Sequence, residues 1–229
     1  MVRNLLDNGE LVNIKKQLEE NDSITKYKYG IPDEDRVTYM VLWNNPGDDV
    51  TGMLARSEKV VNTCEKLLGG EVFHFHSKLV MKEPQTGGRF LWHQDYGYWY
   101  KNGFLFPDLL TVFVAVDGSV KQNGCLQILR GSHKCGRLDH GLGTDQLGAD
   151  IDRVNHIKQI CPLEYAEMNA GDALFFHSNL LHTSGSNDSE LRRWAFLMAY
   201  CRASNDTVED HPFAHYTPIQ KVRQREKGK

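Results

Sequence analysis

Residues 71–82, Glu-Val-Phe-His-Phe-His-Ser-Lys-Leu-Val-Met-Lys, constrain the fold more than any other stretch of this chain. Side chains alternate across a β-strand with a period of two. One face then carries Phe73, Phe75, Ser77, Leu79 and Met81; the other carries Val72, His74, His76, Lys78, Val80 and Lys82. The apolar face predicts packing on a second layer, with the preceding helix as candidate. The polar face fits either solvent or a polar cavity inside a barrel. His74-x-His76 also has the spacing of a metal pair, but no carboxylate nearby completes it.

The rest of the chain supplies the layers around that strand. Leu5, Leu6, Leu11, Ile14 and Leu18 recur near a helical period over residues 1–20. Residues 21–50 read as polar and irregular, with a loop signal at Asn44-Asn45-Pro46-Gly47. A helical stripe of Met53, Leu54, Val60, Val61, Cys64, Leu67 and Leu68 ends at Gly69-Gly70. Beyond it, short extended segments alternate with turns. Strands are predicted around 90–95, 109–116, 125–129, 173–177, 180–183 and 193–201. Residues 134–158 read as loop with a short helix, and the tail from 203 as irregular, broken at Pro212 and Pro218. Seven or eight short strands, with helices mainly before residue 70, predict a mainly β sandwich or barrel with flanking helices. At 229 residues, without repeat or linker, the chain reads as a single domain over 1–229. Its helical support would be about 1–70 and its β core about 71–203.

A net charge of −3 offers no basis for binding nucleic acid or an anionic membrane. No apolar run is long enough to span a bilayer, and neither end carries a targeting signal. The five cysteines, Cys64, Cys125, Cys135, Cys161 and Cys201, are scattered without a Cys-x-x-Cys pair, which predicts free thiols and a cytoplasmic protein. The oligomeric state is not legible in the sequence.

The chemistry concentrates at Trp92-His93-Gln94-Asp95-Tyr96. On an extended strand His93 and Asp95 share a face, and a distant second histidine would complete a two-histidine, one-carboxylate facial triad. Such a triad suits non-heme Fe(II) with open positions. His177 and His182 are the candidates, and spacing alone does not choose between them. A 2-oxoglutarate cosubstrate chelates such an iron through its keto acid, and its far carboxylate then needs a cation. Arginine grips carboxylates bidentately. Arg193 lies eleven residues after His182, across the turn at 184–189, and is expected on the neighbouring antiparallel strand. Alternation lets only one of Arg192 and Arg193 point inward.

With these stand Asn123-Gly124-Cys125-Leu126, Gly131-Ser132-His133, Gly171-Asp172-Ala173-Leu174-Phe175-Phe176-His177 and His182-Thr183-Ser184-Gly185. Their order and spacing resemble the phytanoyl-CoA dioxygenase family, which includes ectoine hydroxylases, from about residue 50 to 203. The resemblance implies a double-stranded β-helix, the jelly roll of cupins, and an Fe(II)- and 2-oxoglutarate-dependent dioxygenase. Such an enzyme hydroxylates a small organic substrate with O₂, releasing succinate and CO₂, and can use ascorbate as reductant. It implies His93, Asp95 and His182 as iron ligands, Arg193 as cosubstrate anchor and Ser184 as its helper. Thr111, Phe113, Lys78 and Lys82 fall at positions that line the cosubstrate pocket, and His76, Trp99 and Tyr98 on the substrate side. His177 then reads as a structural histidine. The retained Asp95 favours hydroxylation over halogenation, for which relatives substitute a small residue. The family's opening Phe-x-x-x-Gly-Phe strand has no good match before residue 40. A cupin-like metal enzyme without 2-oxoglutarate, and a non-catalytic binding module, are the alternatives.

Overall fold

The computed structural model describes residues 1–143, 146–208 and 215–223; Pro212 and the C-terminal tail fall outside them. The chain opens with helices α1 (Asn8–Glu20) and α2 (Asp22–Tyr27), then strands β1 (Tyr29–Asp33) and β2 (Arg36–Trp43). Helices α3 (Val50–Ala55) and α4 (Glu58–Leu68) precede the long β3 (Val72–Lys82). β4 (Phe90–His93) runs into the short α5 (Asp95–Trp99). β5 (Leu109–Ala115), β6 (Leu126–Leu129), β7 (His140–Leu142) and β8 (Leu147–Ala149) follow, then α6 (Ile151–Lys158). The chain continues through β9 (Leu163–Ala166), β10 (Ala173–His177), β11 (His182–Ser184), β12 (Arg193–Arg202) and β13 (Thr217–Pro218).

Among the described residues the strands form two main antiparallel sheets. The large one runs β1-β2-β3-β12-β5-β10, with β13 also on β3; the small one runs β4-β11-β6-β9. β7 and β8 make a separate hairpin. Helices cover one face of the large sheet. Ile14 and Leu18 of α1 and Val60, Val61 and Cys64 of α4 pack with Leu79, Met81, Val112, Val114 and Phe196. Full burial of one such side chain is worth about 2 kcal/mol, so this layer anchors the sheet. The other face meets the small sheet through Val80, Phe113, Ala195, Leu197, Leu126 and Ala166. Local sequence sets the helix ends. Asp7 and Glu10 form a reciprocal capping box at α1, and α4 stops where Gly69 takes φ 74°.

Three expectations are corrected. Residues 29–43 are a β-hairpin rather than irregular chain, turning at Glu34 with φ 57°. Both faces of β2 carry apolar side chains, because Val41 meets the helices while Met40 meets the inter-sheet core. That double burial hides the period-two signal. Residues 134–158, read as loop, also form the β7–β8 hairpin besides the helix α6.

The third correction concerns β3. Ala199 pairs with His76 but the next residue, Tyr200, pairs with His74, which leaves Phe75 as an extra residue in a bulge. A bulge shifts alternation by one, so every side chain beyond it changes face. His76, Lys78 and Val80 face the inter-sheet cavity as read. Val72 joins the helix-side core, and His74 turns the same way, its ring edge against Tyr200. Phe73 and Phe75 pack instead with Trp99 and Phe104. His74 and His76 are therefore no metal pair.

Candidate active site

His93 ends β4 and Asp95 begins α5, so the two do not share one strand as expected. Gln94 between them keeps an extended backbone, φ −115° and ψ 135°, and that conformation still brings residues 93 and 95 to the same side. His182 on β11 pairs directly with His93, and their ring centroids are 4.1 Å apart. The ligand atoms of His93, Asp95 and His182 all lie within 4.8 Å of one another. His177 is elsewhere. Its Nδ1 accepts the Asn179 N–H at 3.0 Å, and its ring faces His133, as suits a structural residue.

Each ligand is held in the state a metal needs. His93 Nδ1 donates to the Leu91 carbonyl at 2.7 Å and His182 Nδ1 to the Leu180 carbonyl at 2.9 Å. A carbonyl can only accept, so both protons sit on Nδ1 and both Nε2 lone pairs are free. Burial pushes both imidazoles below their usual range, and the neighbouring His182 pushes His93 further. Burial alone would raise the Asp95 carboxyl. The Lys78 ammonium and the Thr111 hydroxyl, donating at 2.6 Å, oppose it, and the group is held at about 2. Two neutral imidazoles and one carboxylate, presented on one side, are the donor set of a facial triad for Fe(II).

Gln94, which the sequence left without a role, is fully buried and braces the triad from behind. Its amide nitrogen donates to the carbonyls of Gly136 and Asn179, both at 2.8 Å, and its oxygen accepts from Leu138 N at 2.7 Å. Its place midway between two ligands was the available signal.

The triad opens into a cavity of about 370 Å³ between the sheets. Arg193 lines it and is 1 % exposed. One terminal nitrogen donates to the Gly124 carbonyl at 2.5 Å, whereas Nε has no hydrogen-bond partner among the described residues. Burial lowers the guanidinium to about 10, so it stays charged at neutral pH. Gly124 itself has φ 75°, and a Cβ there would meet the Gly185 carbonyl oxygen at 2.2 Å, so only glycine allows this cradle. Arg192 points away to Asp117 and Glu19, as alternation requires. Arg193 is not on a hairpin partner of His182, however. The turn at 184–189 carries the chain from the small sheet to the large one, where β12 pairs with β3 and β5. Arg193 and the triad therefore belong to different sheets.

The remaining site residues divide. Ser184, Phe113, Lys78, His76, Trp99 and Tyr98 line the cavity. Thr111 serves Asp95 rather than the cavity wall. Lys82 is fully buried outside the cavity lining; its ammonium donates to Ser184 Oγ at 2.9 Å and to the Gly185 carbonyl. It shapes the Ser184 corner from behind. The β1–β2 residues Ile31, Pro32, Met40 and Leu42 also line the cavity, and a hairpin apolar on both faces gives no sequence signal for them.

Two antiparallel sheets enclosing a His-x-Asp…His triad define a double-stranded β-helix of the Fe(II)- and 2-oxoglutarate-dependent kind. The family model for phytanoyl-CoA dioxygenase (PhyH) matches residues 1–195, and this chain belongs to that family, with its facial triad intact. It is 29% identical over 186 residues to the L-proline trans-4-hydroxylase of Streptomyces griseoviridis, covering 72% of this chain and 67% of that protein. It is 32% identical over 158 residues to a probable alpha-ketoglutarate-dependent hypophosphite dioxygenase of Stutzerimonas stutzeri, covering 68% and 54%. The matched region thus spans about half to two thirds of those relatives. EctD from S. alaskensis, solved with 2-oxoglutarate and 5-hydroxyectoine, shares the fold with a TM-score of 0.79 at 19% identity, over 96% of this chain and 81% of that one. No helix among the described residues is long and apolar enough to cross a membrane.

Proposed function

We propose that the protein hydroxylates a small organic substrate, consuming 2-oxoglutarate and O₂ and releasing succinate and CO₂. The observation that carries the reading is Arg193. A buried guanidinium with an unsatisfied Nε, lining the same cavity as the triad, is costly unless an anion completes it. The far carboxylate of 2-oxoglutarate is such an anion, and a planar fork suits it.

His93, Asp95 and His182 would hold Fe(II), which when bound with the cosubstrate supplies the oxidising chemistry. The chain's own residues do the positioning. Arg193 fixes the far carboxylate, with Ser184 beside it, presented by Lys82. Phe113 packs its ring 5.9 Å from the guanidinium carbon and keeps that end dry. Thr111 donates to one oxygen of Asp95, which would leave the other for the metal. Trp99, Tyr98 and His76 line the same cavity and would face the substrate, with the exposed Leu42 and Leu147 on its open side. The five free thiols support the cytoplasm as the proposed compartment. The purified protein, given Fe(II), ascorbate and 2-oxoglutarate, should release succinate slowly even without substrate. Asp95→Ala should release none. Equal release by the variant, or none by either, would reject the reading.

A further inference from the structure

The cavity lining holds a second cation besides Arg193. It is Lys78, with Nζ 4.0 Å from Asp95 Oδ1, and its side chain is 18% exposed against 3% for Asp95. That separation is long for an ion pair. Asp95 is thus the one carboxylate beside Lys78 in the cavity wall, held at long range and shared with Thr111 and, in the reading above, with the metal.

Its position separates it from the anchor end. Arg193 pairs across the ladder with Lys82, whereas Lys78 pairs with Leu197 on one side and Leu42 on the other. Lys78 and Lys82 are four residues apart, roughly 13 Å along an extended strand. Leu42, 40% exposed, is at the mouth, so Lys78 lies between the mouth and the triad.

Charge points the same way. Asp95 is the one carboxylate among the cavity-lining residues, and Lys78 and Arg193 are the two permanent cations. A divalent metal with doubly charged 2-oxoglutarate adds no net charge. One positive charge would then remain without a counter-charge, and with Asp95 given to the metal and Arg193 to the cosubstrate it would be that of Lys78. Such a charge calls for an anion. The wall around it is mostly apolar, with Leu42, Leu147, Met40 and the Trp99 ring beside the polar His76, Tyr98 and Gln146, so the anion should carry an apolar body.

We propose that Lys78 clamps the substrate's anionic group, and that this oxygenase takes a small carboxylic acid with an apolar body. The proposal rests on the cosubstrate reading above. Lys78 is thereby a specificity residue for substrate and has no part in holding 2-oxoglutarate.

The test is calorimetric binding to the catalytically silent Ni(II) protein saturated with 2-oxoglutarate, which blocks Arg193. The probes are hexanoate, hexanamide and phosphite. Hexanoate should bind at least about tenfold more tightly than hexanamide, which lacks the charge, and than phosphite, which lacks the apolar body. A tenfold ratio is the lower end for one charge-assisted contact. Lys78→Gln should bring hexanoate to the level of hexanamide while 2-oxoglutarate binding stays within about twofold. Wild-type protein that does not prefer hexanoate over hexanamide overturns the proposal. So does a Lys78→Gln variant that keeps the preference, or one whose loss is in 2-oxoglutarate binding. Phosphite binding as tightly as hexanoate overturns the apolar body. Failure of 2-oxoglutarate itself to bind the metal-loaded wild type is a separate result, and it removes the underlying reading.

Discussion

In the large sheet β3 and β12 run for eleven and ten residues, paired along most of their length and backed by helices. In the small sheet β4 and β11 run for four and three. Yet the small sheet carries the histidine ligands, and the large one carries Lys78, Arg193 and Thr111. Register places the large sheet's charges: a residue's parity along a long, packed strand decides whether it meets the cavity or the helices. Side-chain hydrogen bonds to loops place the small sheet's ligands. Gln94 ties three loop groups together, Ser132 Oγ accepts from Leu181 N at 2.9 Å, and Thr183 donates to the Phe90 carbonyl at 2.5 Å. The cavity joins a rigid electrostatic wall to a hydrogen-bonded metal cradle.

The largest effect is expected on the small sheet. His182→Ala removes a ligand outright, where losing even an outer partner costs about tenfold to a hundredfold. Fe(II) affinity, measured by competition with a chelator, should fall more than about a hundredfold, while the large sheet keeps the protein folded. On the large sheet Arg193→Met should leave metal affinity near wild type and raise the 2-oxoglutarate requirement about thirtyfold. That factor corresponds to a charge-assisted pair of about 2 kcal/mol. Equal effects of both variants on both ligands would erase the distinction.

The smallest effect tests the bulge. With His74 turned toward the helices, burial holds its imidazole down to about 4 from 6.5. The unfolded chain takes up a proton as pH falls through the usual value, and the folded chain resists until the lower one. This contribution to stability is complete above the unfolded value and is lost as pH falls through the window between the two. Between about pH 7.5 and about pH 5.5 His74 should cost the protein about 1 kcal/mol. Urea unfolding of His74→Gln should show a shallower pH dependence by that amount. An unchanged slope would put His74 back in solvent.

What could be read from the sequence follows the same division. Parity allowed only one of Arg192 and Arg193 to point inward and the family resemblance chose Arg193; the structure turns Arg193 into the cavity and Arg192 out to Asp117. The inward group His76, Lys78 and Val80 holds by parity, and fails beyond Phe75 because a bulge leaves no mark in composition. The β1–β2 hairpin was hidden because β2 is apolar on both faces. The triad was legible as chemistry, since few side chains serve a metal. Its support was not: Gln94, Lys82 and Thr111 act through contacts across 40 or more, 102 and 16 positions of chain, which local spacing does not report.

One ion on the small sheet and one guanidinium on the large sheet would be joined by a single dicarboxylate. The most direct test is an anaerobic titration of the Fe(II) protein with 2-oxoglutarate, followed by the weak visible charge-transfer absorption of the chelate. The absorption should rise and saturate in the wild type, need far more 2-oxoglutarate in Arg193→Met, and be absent in Asp95→Ala. A wild-type protein that binds Fe(II) but develops no such absorption, or an Arg193→Met protein that titrates like wild type, would contradict the account.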